Sequence, residues 1–114
     1  MSKIYKILPK TEWEAARATG VFAGSAVDLA DGFIHFSGPD TAQRTAELYF
    51  KGQSDLMLLT VEADQLGEAL KWEASRGGVL FPHLFRALKV DEVMAERALE
   101  LDADGAPILG ELAA

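Results

Sequence analysis

Leu56-Met57-Leu58-Leu59-Thr60-Val61 is a continuous apolar run set between Ser54-Asp55 and Glu62-Ala63-Asp64. It lacks the alternation of a half-exposed strand and is too short for an independent helix, so it reads as a central strand covered on both faces. Helices or loops must then pack on each side of it, which limits the chain to a layered fold.

The second organising stretch is Asp31-Gly32-Phe33-Ile34-His35-Phe36-Ser37-Gly38-Pro39-Asp40. A two-residue period sends Ile34 and Phe36 to one face and Phe33, His35 and Ser37 to the other. Pro39 suits a first helical position with Ser37 or Gly38 as cap, so a helix is expected directly after the strand, its N-terminus beneath His35 and Ser37. Ala42, Ala46, Tyr49 and Phe50 recur at helical spacing up to the stop at Gly52.

Elsewhere, Lys3 to Leu8 predicts a first strand ending at Pro9. Thr11 and Glu14 have capping-box spacing ahead of a helix that carries Trp13 and Ala16 and stops at Gly20. Val21 to Ala30 has no periodicity and is expected to be coil. Asp64 to Leu70 suggests a single helical turn or an ordered loop, and Leu70 to Glu73 a short strand or extended edge. Pro82 enforces an extended course on Val79-Leu80-Phe81. Val93 to Leu101 alternates like a strand; a helix is the rival, because Met94, Ala98 and Leu101 also sit at helical spacing, but the turn Asp102-Ala103-Asp104-Gly105 before Pro107-Ile108-Leu109 favours a terminal hairpin. The expectation is one α+β domain over residues 1–114, with about five strands in a mixed, mostly antiparallel sheet and two main helices.

Composition narrows the function. Eleven basic against eighteen acidic residues give a net charge of −7, which repels a phosphate backbone, so no polynucleotide partner is expected. No run is long enough to cross a bilayer and no signal peptide is apparent, which makes a cytoplasmic location the default. Without cysteine there is no disulfide or thiolate zinc site, and with two histidines no metal centre is expected.

His35 leads the candidate site residues, because an ionisable ring in an apolar strand must find a hydrogen bond. Structural histidines satisfied by a carbonyl are about as common. Ser37 and Arg44 sit beside it at the expected helix start. Trp72 and Glu73 border the loop Ser75-Arg76-Gly77-Gly78, and His83 follows Phe81-Pro82 on a rigid approach. A solvated Glu73 and Arg44, with Trp72 filling core, is the plainer reading of that group.

Ile4-Tyr5-Lys6-Ile7-Leu8-Pro9 with Trp13, Asp31-Gly32-Phe33-Ile34-His35-Phe36-Ser37, Leu70-Lys71-Trp72-Glu73 and Phe81-Pro82-His83-Leu84-Phe85 together resemble a small bacterial family known as a domain of unknown function. The resemblance implies a fold related to that of ADP-ribosyltransferases and NAD or an ADP-ribose-like molecule as ligand. It implies that Ser37 occupies the hydroxyl position and Glu73 the acidic position of that superfamily's three-part motif. Lys6 falls where histidine is usual, and lysine donates hydrogen bonds without accepting them. On this basis Glu73 and His35 are the expected catalytic residues, with Ser37, Arg44, Trp72, Arg76, His83 and Lys6 as ligand contacts. A non-catalytic binding or regulatory module that keeps the fold without the chemistry is the alternative.

Overall fold

The computed structural model describes residues 2–114, with the side chain of Arg76 outside that description. In chain order the elements are β1 (Lys3–Pro9), α1 (Lys10–Thr19), β2 (Val21–Phe22), α2 (Ala26–Asp31), β3 (Ile34–His35), α3 (Ala42–Tyr49), β4 (Leu56–Glu62), β5 (Leu70–Ala74), β6 (Leu80–Leu84), β7 (Leu88–Lys89), β8 (Val93–Ala98), β9 (Glu100–Leu101) and β10 (Pro107–Ile108). The α+β class with antiparallel pairing is as expected. The strands are shorter and more numerous than five, and a third α-helix joins the two main ones.

Two three-stranded sheets form the frame, β1-β4-β8 and β3-β6-β5, each antiparallel. They are stitched where Tyr5 and Ser37 exchange both backbone hydrogen bonds at 2.8 Å. The apolar run became β4, in the middle of its sheet. Met57, Leu59 and Val61 pack into a cluster with Ile4, Leu8, Trp13, Ile34 and Phe36, while Leu56 and Leu58 pack with Tyr5, Ile7, Ala42 and Ala46 on the opposite face. Alternation along β1 therefore puts Lys6 on the same inward face as Ile4 and Leu8.

Local chemistry moved three expected boundaries. The Thr11 capping box is replaced by Pro9 at the N-cap with no side-chain cap bond, because the Lys10 amide donates to the Asp55 carbonyl instead (2.8 Å). Pro39 is not the first helical residue: Gly38 to Thr41 make a turn in which the Gly38 amide donates to Thr41 Oγ1 (3.1 Å), and α3 begins at Ala42. The expected coil at 21–30 holds β2 and α2. The latter is opened by a capping box in which the Ser25 amide donates to Asp28 Oδ2 (2.9 Å).

Pro82 stands inside a central strand, where a missing N–H is normally costly. Its carbonyl accepts from the Phe36 amide (3.0 Å), and a residue's N–H and C=O point to the same strand edge. The absent donor thus falls on the β3 side, just past the end of β3 at His35. The terminal hairpin β9-β10 formed, its turn held by Asp102 Oδ1 accepting from the amides of Asp104 and Ala106.

Candidate functional site: a histidine pocket between the two sheets

Direct pairing of His35 with His83 across β3 and β6 puts both rings on one sheet face, with centroids 5.4 Å apart in an edge-on arrangement. Phe33, two residues before His35 on the same face, stacks on His83 at 4.2 Å and tilts against His35 at 4.6 Å. The two histidines line a cavity of about 320 Å³ together with Lys6, Ser37, Asp31, Thr45, Tyr49, Ser75 and Phe81, among others.

Each histidine is backed by a carboxylate. His83 Nδ1 lies 2.8 Å from Glu73 Oε1, a diagonal neighbour across β5 and β6. With Glu73 accepting, the neutral ring carries its proton on Nδ1 and its lone pair on Nε2, the arrangement of a general base. His35 is held differently: Nδ1 lies 2.6 Å from Asp28 Oδ1 and Nε2 lies 3.0 Å from Asp31 Oδ2. Ionised carboxylates only accept, so the ring donates to both of them only when both of its nitrogens carry protons.

Asp28 is the hub of this network. Besides His35 Nδ1 it accepts from the His35 amide (3.2 Å), the Ser25 amide, and Lys6 Nζ at 2.9 and 3.1 Å. Burial pushes the Asp28 carboxyl upward, but the Lys6 charge and the hydrogen bonds from His35 and Ser25 together hold it below the usual carboxylate range. Burial draws Lys6 below the usual lysine value, with the Asp28 charge opposing.

Of the expected site residues, Lys6, His35, Ser37 and His83 converge on the cavity. Ser37 Oγ lies 3.0 Å from Thr45 Oγ1 on α3. Glu73 stands behind His83 rather than in the cavity wall. Arg44 is exposed and pairs with Glu47 (3.4 Å), and Trp72 is half-exposed on the other face of β5 from Glu73, so neither joins the site. Arg76 lies outside the described side chains. Among the described residues no group of three or more histidines and acids is placed to hold a metal, and no helix is long and apolar enough to cross a membrane.

Sequence reasoning missed Asp28 and Asp31. Two signals pointed there: the Ser25-to-Asp28 capping spacing, and a lysine in the inward phase of β1, which demands a buried acid.

Residues 7–96 match the pattern of the family described as "Protein of unknown function (DUF952)". The chain belongs to the DUF952 family. It is similar to protein CC0527 from Caulobacter crescentus. The X-ray structure of that protein is 63% identical over 95% of each chain with a TM-score of 0.94. Its solution NMR structure is 64% identical over 96% of this chain and 95% of that one, with a TM-score of 0.88. A search of curated proteins finds no match. The matched residues run from within β1 to within β8 and so include both histidines with Asp28, Asp31 and Glu73, but not Lys6.

Proposed function

We propose that the pocket binds a nucleotide-derived small molecule of the NAD or ADP-ribose class and that His83, oriented by Glu73, is its acid-base group. The observation that carries this reading is the 2.8 Å contact of His83 Nδ1 with Glu73 at the wall of a cavity where Ser37 and His35 also converge. The aromatic side chains of Tyr49, Phe50 and Phe81 in the same lining suit the flat face of a base or pyridine ring. The two sheets joined at Tyr5 and Ser37 are compatible with an ADP-ribosyltransferase-like arrangement, in which NAD would be the ligand and Ser37 the hydroxyl group. The fold, the small-molecule role and a cytoplasmic setting form one reading.

A second reading is supported by Lys6. Its ammonium is taken up by Asp28, so the first position of the transferase motif offers a ribose nothing. On that reading the chain is a binding or regulatory module without turnover. A thermal-shift screen with NAD, ADP-ribose and nucleoside phosphates tests the proposal, since a ligand of the native state alone raises its melting temperature. No shift at millimolar concentration would remove the small-molecule reading. A shift without NAD consumption would leave the binding module.

A further inference from the structure

Asp31 is the single acidic residue among the described residues of the cavity lining, and neither the acid-base pair nor the core ion pair uses it. Its side chain is about half-exposed (48%), so a ligand can reach it. It is also held in place: it closes α2, the left-handed Gly32 (φ 87°) turns the chain away after it, and His35 Nε2 sits 3.0 Å from Oδ2. His35 is itself fixed by Asp28. A pre-positioned carboxylate that only accepts is matched by a group presenting two adjacent donors. A vicinal diol does so. A phosphate does not, because it brings a second negative charge to the same wall of a protein that already carries −7.

We infer that Asp31 reads the vicinal diol of a ribosyl group in this pocket. The inference rests on the nucleotide reading above and adds to it an orientation. The sugar hydroxyls face α2, the phosphates point away from it, and the ring system lies toward Tyr49 and Phe81. His35 is then a positioning residue that aims the Asp31 carboxylate. The same geometry makes the site selective for ribosyl over 2-deoxyribosyl ligands and against 2′-phosphorylated ones, since either change removes the donor pair.

Calorimetric titration of the full chain with ADP-ribose, and of Asp31→Ala and Asp31→Asn variants, tests this, supported by amide chemical-shift titrations with D-ribose and 2-deoxy-D-ribose. The wild type is expected to bind ADP-ribose, and both variants to bind it about tenfold or more weakly, the range for hydrogen bonds to a charged group. D-ribose is expected to shift the amides around Asp31 and His35 in the wild type, 2-deoxy-D-ribose much less, and the difference to vanish in Asp31→Ala. Equal ADP-ribose affinity in wild type and Asp31→Ala would overturn the assignment while leaving the nucleotide reading intact. D-ribose binding that depends on Asp31 without any ADP-ribose binding would keep the diol site and overturn the nucleotide reading. Absence of binding by either sugar or nucleotide would overturn both.

Discussion

Asp28 Oδ1 lies 2.6 Å from His35 Nδ1, while Asp28 Oδ2 lies 2.9 Å from Lys6 Nζ. One carboxylate, 1% exposed, thereby ties a lysine of the core face to a histidine of the pocket and fixes α2 against both sheets. The pair follows from β1 alternation, which forces Lys6 inward, and it determines which way the His35 ring points.

Replacing Asp28 by Ala is expected to destabilise the protein by about 3 to 5 kcal/mol, since it strands a buried ammonium. The double change Lys6→Met with Asp28→Leu should recover most of that loss, because the desolvation cost disappears with both charges. Urea unfolding midpoints of the three proteins check this. A single Asp28→Ala variant as stable as the wild type would show that Lys6 reaches water.

Acid should weaken the fold in a defined window. Asp28 is held below the ordinary carboxylate range as described, and Glu92 is lowered chiefly by its hydrogen bonds from Arg86 (2.8 and 2.9 Å). As pH falls the unfolded chain takes up these protons first, so the contribution is full above about pH 4 to 5 and is lost as pH drops through the lowered native values. Unfolding midpoints measured from pH 7 to pH 2.5 should stay level and then fall, and Glu92→Gln should make the acid slope shallower. An identical slope in that variant would take Glu92 out of the linkage.

Gly24 holds φ at 127°, and a Cβ there would lie 2.8 Å from Asp28 Cβ. Gly24→Ala is therefore expected to cost about 1 to 3 kcal/mol through backbone strain and to displace α2. The His35 ring resonances should shift with it, because Asp28 and Asp31 both ride on that helix. Thermal melts and a histidine-selective NMR spectrum provide the measurement.

Phe36 is 2% exposed in the cluster with Ile34 and Leu84. Phe36→Ala should lose about 3 to 5 kcal/mol by cavity formation. A denaturation midpoint that hardly moves would mean this face collapses around the gap.

On the proposed reading, variants of His83 and Glu73 should separate binding from turnover. Glu73→Gln keeps the shape of the half-exposed side chain but removes the charge that orients His83, so any turnover should fall at least about a hundredfold with affinity largely kept. His83→Ala should weaken binding as well, since that ring forms part of the cavity wall. Undiminished turnover in Glu73→Gln would remove the dyad from the chemistry. Unchanged affinity in His83→Ala would remove the ring from the ligand's path.

What the sequence determined by itself is the phase of its strands. The uninterrupted run at Leu56–Val61 had to be a covered central strand, and alternation from Phe33 to Ser37 separated Ile34 and Phe36 from His35 and Ser37, because the two-residue period is a property of the extended backbone. Tertiary structure decided which polar groups met. Arg44 was expected beside the histidines, but the turn at Gly38–Thr41 delays α3 to Ala42, and at 100° per residue Arg44 then lies about 200° from Ala42, facing outward. Asp28 and Asp31 lay in a segment without periodicity, since a helix as short as α2 completes too few turns to show one. Their importance comes from long-range partners on β1 and β3. Such partners depend on how the two sheets join at Tyr5 and Ser37, a relationship between residues far apart in the chain that no local pattern encodes.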